Sequence, residues 1–214
     1  IRSAGDLCYG KSCTEGCKSL ESLLDGGERF ARNFRSGDST TSPTNVATTY
    51  PKGKFTYTCN QYNQSKVQAL LDAGSALGVT NKAGLAAIVS GALQESGTGL
   101  DPTIVSGVKG ENSTGIFQWN PDVGRLQALQ KWAGDQGLNW RSYSTQVNYF
   151  VYDVKKSYPG LVPALNSASS PFEAANAFDR NYTISGDRDA GPNSRNNQKR
   201  TQYVNDVLNC MSES

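Results

Sequence analysis

The chain has 214 residues, 36 % of them hydrophobic, and 21 basic against 19 acidic side chains give a formal net charge of +2. Three Trp, ten Tyr and seven Phe exclude a disordered polymer, and no apolar run reaches the roughly 18 residues that span a bilayer. There is no histidine, which excludes Ser-His-Asp and Cys-His catalysis and most zinc hydrolase sites.

Residues 1–58 read as an N-terminal arm without visible chemistry. Leu20, Leu23, Leu24, Phe30 and Phe34 permit a short helix or two, interrupted at Gly26-Gly27. Arg35 to Thr49 is a Ser/Thr-rich linker too polar to bury a core. No signal peptide is visible and the first residue is Ile1, which fits a processed chain. Five cysteines occur, at positions 8, 13, 17, 59 and 210. Three close and two distant ones fit a zinc site poorly and fit disulfides in an oxidising compartment better. A Cys59–Cys210 bond would tie the ends of the remaining domain, although spacing alone leaves the pairing open.

From Tyr62 the pattern is helical. Val67, Leu70, Leu71 and Leu77 form a stripe that ends near Gly78. Asn81 is the expected N-cap of the next helix, whose buried face is Leu85, Ile88, Val89, Ala92 and Leu93. That helix should end just after Glu95, because Gly97 and Gly99 follow. Leu100 to Gly115 is expected to be loop, and Ile116 to Trp119 a short extended or turn segment. Further helices are expected over 124–133, 145–158, 172–181 behind Pro171, and 198–208. The fold class is therefore mainly α, in an α+β arrangement with a short loop and strand region beside the helix that carries Glu95. The expected domain spans 59–210, followed by a tail at 211–214.

Without histidine, and without a phosphate-binding glycine loop, hydrolysis falls to carboxylates, whose main use is glycoside cleavage. Glu95 is the best placed. The negative end of a helix dipole and the aromatic surface of Phe117 and Trp119 would both favour its protonated form, as a general acid requires. No metal and no cofactor is expected.

The residues around Glu95 carry a resemblance. Gln94-Glu95-Ser96 closes a helix, Pro102 follows on a loop, and Gly115-Ile116-Phe117-Gln118-Trp119 comes next. This order is similar to the catalytic core of the lysozyme-like and lytic transglycosylase superfamily. From Tyr62 to Leu208 the chain resembles the phage tail lysozyme family: GIFQWNPDVGRLQAL, then Gln146 to Phe150, then FEAANAFDRNYTISG, then Arg195 and Arg200. One departure is Thr183, where that family often has Glu after the residue matching Tyr182.

The resemblance implies a lysozyme-like fold and cleavage between N-acetylmuramic acid and N-acetylglucosamine in peptidoglycan, with Glu95 as general acid. It implies that Glu111 on the loop is a second acid, ahead of Asp101 and Asp122. If no second acid lies in reach, a lytic transglycosylase is favoured. Substrate-binding roles fall to Ser96, Gln118, Trp119 as a sugar-stacking ring, and Tyr182 beside the acid. Each of these has a structural rival: a helix cap, a loop-holding amide, a core Trp and a packing Tyr. The late basic residues Arg180, Arg188, Arg195, Lys199 and Arg200 read as a solvated surface or an anionic-polymer contact, without a nucleic-acid module. The expected setting is extracytoplasmic, secreted, cell-surface or virion-associated, with peptidoglycan glycan strands as partner and residues 1–58 joining a larger assembly. The competing class is a non-catalytic cell-wall-binding or structural component.

Overall fold

A computed structural model of the protein describes residues 50–184 and 191–214. The arm through Thr49, with Cys8, Cys13 and Cys17, and the basic residue Arg188 lie outside the described residues. In chain order the elements are β1 (Phe55–Tyr57), α1 (Gln64–Ala76), α2 (Lys82–Ser96), α3 (Arg125–Asp135), α4 (Tyr143–Ser157), α5 (Leu161–Ser167), α6 (Pro171–Phe178), a π-helical turn (Asp179–Thr183), α7 (Arg195–Asn209) and β2 (Met211–Glu213). The architecture is mainly helical, with one small two-stranded sheet. No helix among the described residues is long and apolar enough to cross a membrane.

Helix α2 is the axis of the fold. It is buried over nearly its whole length, from Gly84 to Leu93, and packs against α1, α6 and α7. Small residues allow this close approach. A Cβ on Gly91 would lie 2.2 Å from Phe178 Cε1, and one on Gly84 would lie 2.8 Å from the Leu165 carbonyl oxygen. Its start follows from Asn81, whose Oδ1 accepts from the Ala83 N–H at 2.9 Å. Its end follows from Gly97, which takes φ +74°, a region closed to most side chains.

The other boundaries fall within a few residues of the helical periodicity, with two exceptions. Helix α5 has no counterpart in the expected pattern, because Pro163 breaks the sequence signal. As the third residue of the helix it lies in the first turn, where no N–H is needed. Helix α6 stops at Phe178, and the chain then widens into the π-turn rather than running on to Asn181.

The two ends of the described domain meet. Strands β1 and β2 pair antiparallel, with Tyr57 opposite Met211, and bury Phe55, Tyr57 and Met211. Both strands lie outside the expected 59–210 span, since three residues are too few for alternation to show. Beside them Cys59 and Cys210, 151 positions apart in sequence, form a disulfide with Cα atoms 5.3 Å apart. Arg200, expected on a solvated or polymer-contacting surface, is instead buried and paired with Asp179 at 3.1 Å. A helix face turned to the core can hold an arginine only with such a partner.

Candidate active site

Glu95 occupies the last turn of α2 and is half-buried. It lines a cleft of about 520 Å³ together with Glu111, Ser113, Phe117, Gln118, Asn120, Val123, Arg125, Thr183 and Ile184. Of the carboxylates expected to accompany it, Glu111 is in this cleft, whereas Asp101 and Asp122 are exposed and do not line it. Phe117 supplies the aromatic surface expected near Glu95.

The loop between α2 and α3 is held by backbone bonds rather than by regular strands. Ser106 N–H donates to the Ser113 carbonyl at 2.8 Å, and Thr114 and Trp119 exchange N–H···O bonds at 3.2 and 3.0 Å. Glu111 is fixed on this loop by two hydroxyls. Ser113 Oγ donates to Oε1 at 2.9 Å and Ser106 Oγ to Oε2 at 3.2 Å. A carboxylate with one donor per oxygen keeps its orientation and still has lone pairs left to accept more.

Gln146, fully buried on α4, clamps the whole assembly. Its Oε1 accepts from the Ile116 N–H at 2.9 Å. Its Nε2 donates to the carbonyls of Pro102 at 2.8 Å and Trp140 at 3.1 Å. One amide thus ties three loop segments, and Gly115, at φ +91°, is required because a Cβ there would meet Gln146 Oε1 at 2.7 Å. Gln146 belongs to the motif that suggested the family, but its service as a clamp has no signature in the sequence.

The expected substrate-binding residues divide. Gln118 lines the cleft, in a left-handed conformation at φ +47°, and its Nε2 donates to the Gly115 and Ile104 carbonyls at 3.0 and 3.3 Å. Its donor therefore braces the loop, leaving the amide oxygen as the group with capacity to accept. Trp119 is 0 % exposed, in edge contact with Phe117 and Tyr149, and its Nε1 donates to the Tyr182 hydroxyl at 3.2 Å. It offers no face for a sugar, so the expectation of stacking is corrected to a core role. Tyr182 is likewise 0 % exposed, and its hydroxyl donates to Asp153 Oδ2 at 3.3 Å. It packs among Phe117, Phe150, Phe178 and Tyr158 and cannot contact substrate directly. Ser96 is 3 % exposed and returns its hydroxyl proton to the Ala92 carbonyl at 2.7 Å, which makes it a helix-end residue rather than a substrate contact.

Arg125 and Ile184 are wall residues that the sequence did not single out. The Arg125 guanidinium lies 4.9 Å from the Tyr182 ring centre and 5.5 Å from that of Tyr158, with Nη2 3.8 Å from Asp153 Oδ2. Its Nε and Nη2 are buried and donate no hydrogen bond among the described residues. Burial pushes the Asp153 carboxyl up, and the Arg125 charge works against that shift. The π-turn sends Tyr182 into the core and brings its successors, Thr183 and Ile184, to the cleft. Ile184 adopts φ +56°, unusual for a β-branched residue, and donates its N–H to the Asp179 carbonyl at 2.6 Å. Thr183, the departure from the family pattern, is thus a cleft residue.

The sequence model of a family described as phage tail lysozyme matches residues 66–211. That span includes every cleft residue and, among the described residues, all seven α-helices except Gln64 and Ser65 at the start of α1. A search of curated proteins finds no match.

Proposed function

The chain belongs to the phage tail lysozyme family, and from that premise we propose that it cleaves peptidoglycan between N-acetylmuramic acid and N-acetylglucosamine, with Glu95 as the general acid. Family membership supports a lysozyme-like action on the cell wall. The observation that carries the finer reading is the presence of two carboxylates, Glu95 and Glu111, on one cleft.

In this reading Glu95 gives its proton to the glycosidic oxygen as the bond to the sugar's anomeric carbon breaks. Positive charge develops on the sugar ring, and the Glu111 carboxylate stabilises it. Water then adds to the anomeric carbon and loses its proton to a carboxylate, which completes hydrolysis. The Gln118 amide oxygen is suited to accept from an acetamido N–H or a hydroxyl. Glu111 favours hydrolysis over the transglycosylase alternative, in which the sugar's own hydroxyl attacks and one acid/base suffices. The disulfide and the family fit action outside the reducing cytoplasm, at a virion or cell surface.

Digestion of purified peptidoglycan, with the released ends identified by mass spectrometry, tests this. The expected products are muropeptides with free reducing ends. Ends in 1,6-anhydro form would replace the hydrolase by a transglycosylase. No release, with the folded protein still sedimenting with the wall, would replace the enzyme by a binding module.

A further inference from the structure

A second concavity, sharing no lining residue with the cleft, lies along α3 and α4. It has a volume of about 210 Å³, and Lys131, Trp132, Asp135, Tyr149, Tyr152 and Lys156 form most of it, with Asp153 and Ser157 beside them. We propose that it is a second glycan-binding site, taking a pyranose ring of the same wall polymer outside the catalytic cleft. The proposal rests on the reading of peptidoglycan as substrate.

Three rings build the surface. Trp132 and Tyr152 lie 5.6 Å apart at 31°, Trp132 and Tyr149 5.5 Å apart at 56°. Tyr149 is buried and fixes the other two from beneath, whereas Tyr152 is 39 % exposed. Lys156 Nζ is 3.1 Å from the Tyr152 hydroxyl and 5.4 Å from the ring centre. Those two distances put the ammonium at the hydroxyl end of the ring rather than above its centre. A rigid aromatic face with polar groups at its rim matches a pyranose, which has an apolar face and equatorial hydroxyls.

The rim chemistry selects among occupants. Lys131 and Asp135 pair at 2.9 Å and Lys156 donates to the Tyr152 hydroxyl at 3.1 Å, while the buried Asp153 behind them lies 3.8 Å from Arg125. A rim that carries ammonium, carboxylate and hydroxyl groups side by side suits a ligand whose hydroxyls both donate and accept. Its position fits a polymer: Trp132 is seven residues beyond the cleft residue Arg125 on one rigid helix, roughly 10 Å along its axis.

The test uses the full chain carrying Glu95→Gln, so that the wall is not consumed, and measures co-sedimentation with purified insoluble peptidoglycan. Adding Tyr152→Ala is expected to weaken binding about fivefold, the size of one lost ring contact. Tyr152→Phe, which keeps the ring, is expected to stay within about twofold. With Glu95 intact, Tyr152→Ala should cleave a short soluble peptidoglycan fragment at the unaltered rate. Unchanged sedimentation of folded Tyr152→Ala overturns the second site while leaving the cleft reading in place. A dimer in sedimentation velocity that Tyr152→Ala abolishes also overturns it, in favour of a second copy as occupant. A Glu95→Gln parent that never sediments with the wall overturns the peptidoglycan reading and this site with it.

Discussion

The cleft acts through a few side chains whose neighbours leave them little freedom. Glu111 is held at both oxygens by serines from its own loop. If it supports the second half of hydrolysis, Glu111→Gln should lower kcat on a soluble fragment about 100-fold or more with KM little changed. An unaltered kcat would point to single-acid chemistry. At this scale the position of Glu95 was legible, because Gly97 and Gly99 end the apolar helix just beyond it and leave the carboxylate in the last turn. Trp119 and Tyr182 were not. Their residue types suit a sugar platform and a buried core equally well, and only the packing of Phe117, Phe150 and Phe178 around them decides for the core. Gln146 was equally hidden, since its three partners lie 6 to 44 positions away along the chain.

Helix α2 positions Glu95, and its packing depends on Gly91. Alanine there would raise intrinsic helix propensity by up to about 1 kcal/mol. It would also drive a methyl group into the Phe178 ring, which is itself wedged against Phe117, Phe150 and Tyr182. Overpacking of a constrained ring costs about 1–3 kcal/mol, so the steric effect should win. Gly91→Ala is expected to lower the Tm by several degrees, read by thermal unfolding, and an unchanged or raised Tm would mean that Phe178 moves freely. Periodicity and end signals found the helices, including α2, which is buried on all sides from Gly84 to Leu93 but still sets its larger side chains at helical spacing between Asn81 and Gly97. Both failed at α5, where Pro163 masks a first turn, and at the π-turn, whose wider winding has no sequence period of its own.

At the scale of the described domain, its first and last elements close on each other through β1, β2 and the Cys59–Cys210 bond. A loop of this length removes enough unfolded-chain entropy to contribute about 5 kcal/mol. Double replacement by serine should therefore shift the denaturant midpoint strongly downwards, while the helical circular dichroism of the folded state is retained. A midpoint unaffected by the replacement would mean that the sheet and core alone hold the ends. The cleft sits on α2, α3, their connecting loop and the π-turn, so its shape depends on this closed frame rather than on any one element.

The central claim is that Glu95 supplies the proton for glycosidic cleavage. The most direct measurement is the rate at which wild type and Glu95→Gln solubilise purified peptidoglycan, taken alongside their sedimentation with it. The account predicts that the substitution, which preserves shape and removes the proton donor, lowers the rate by about 100-fold or more with wall binding retained. A Glu95→Gln protein that solubilises the wall at the wild-type rate would contradict it.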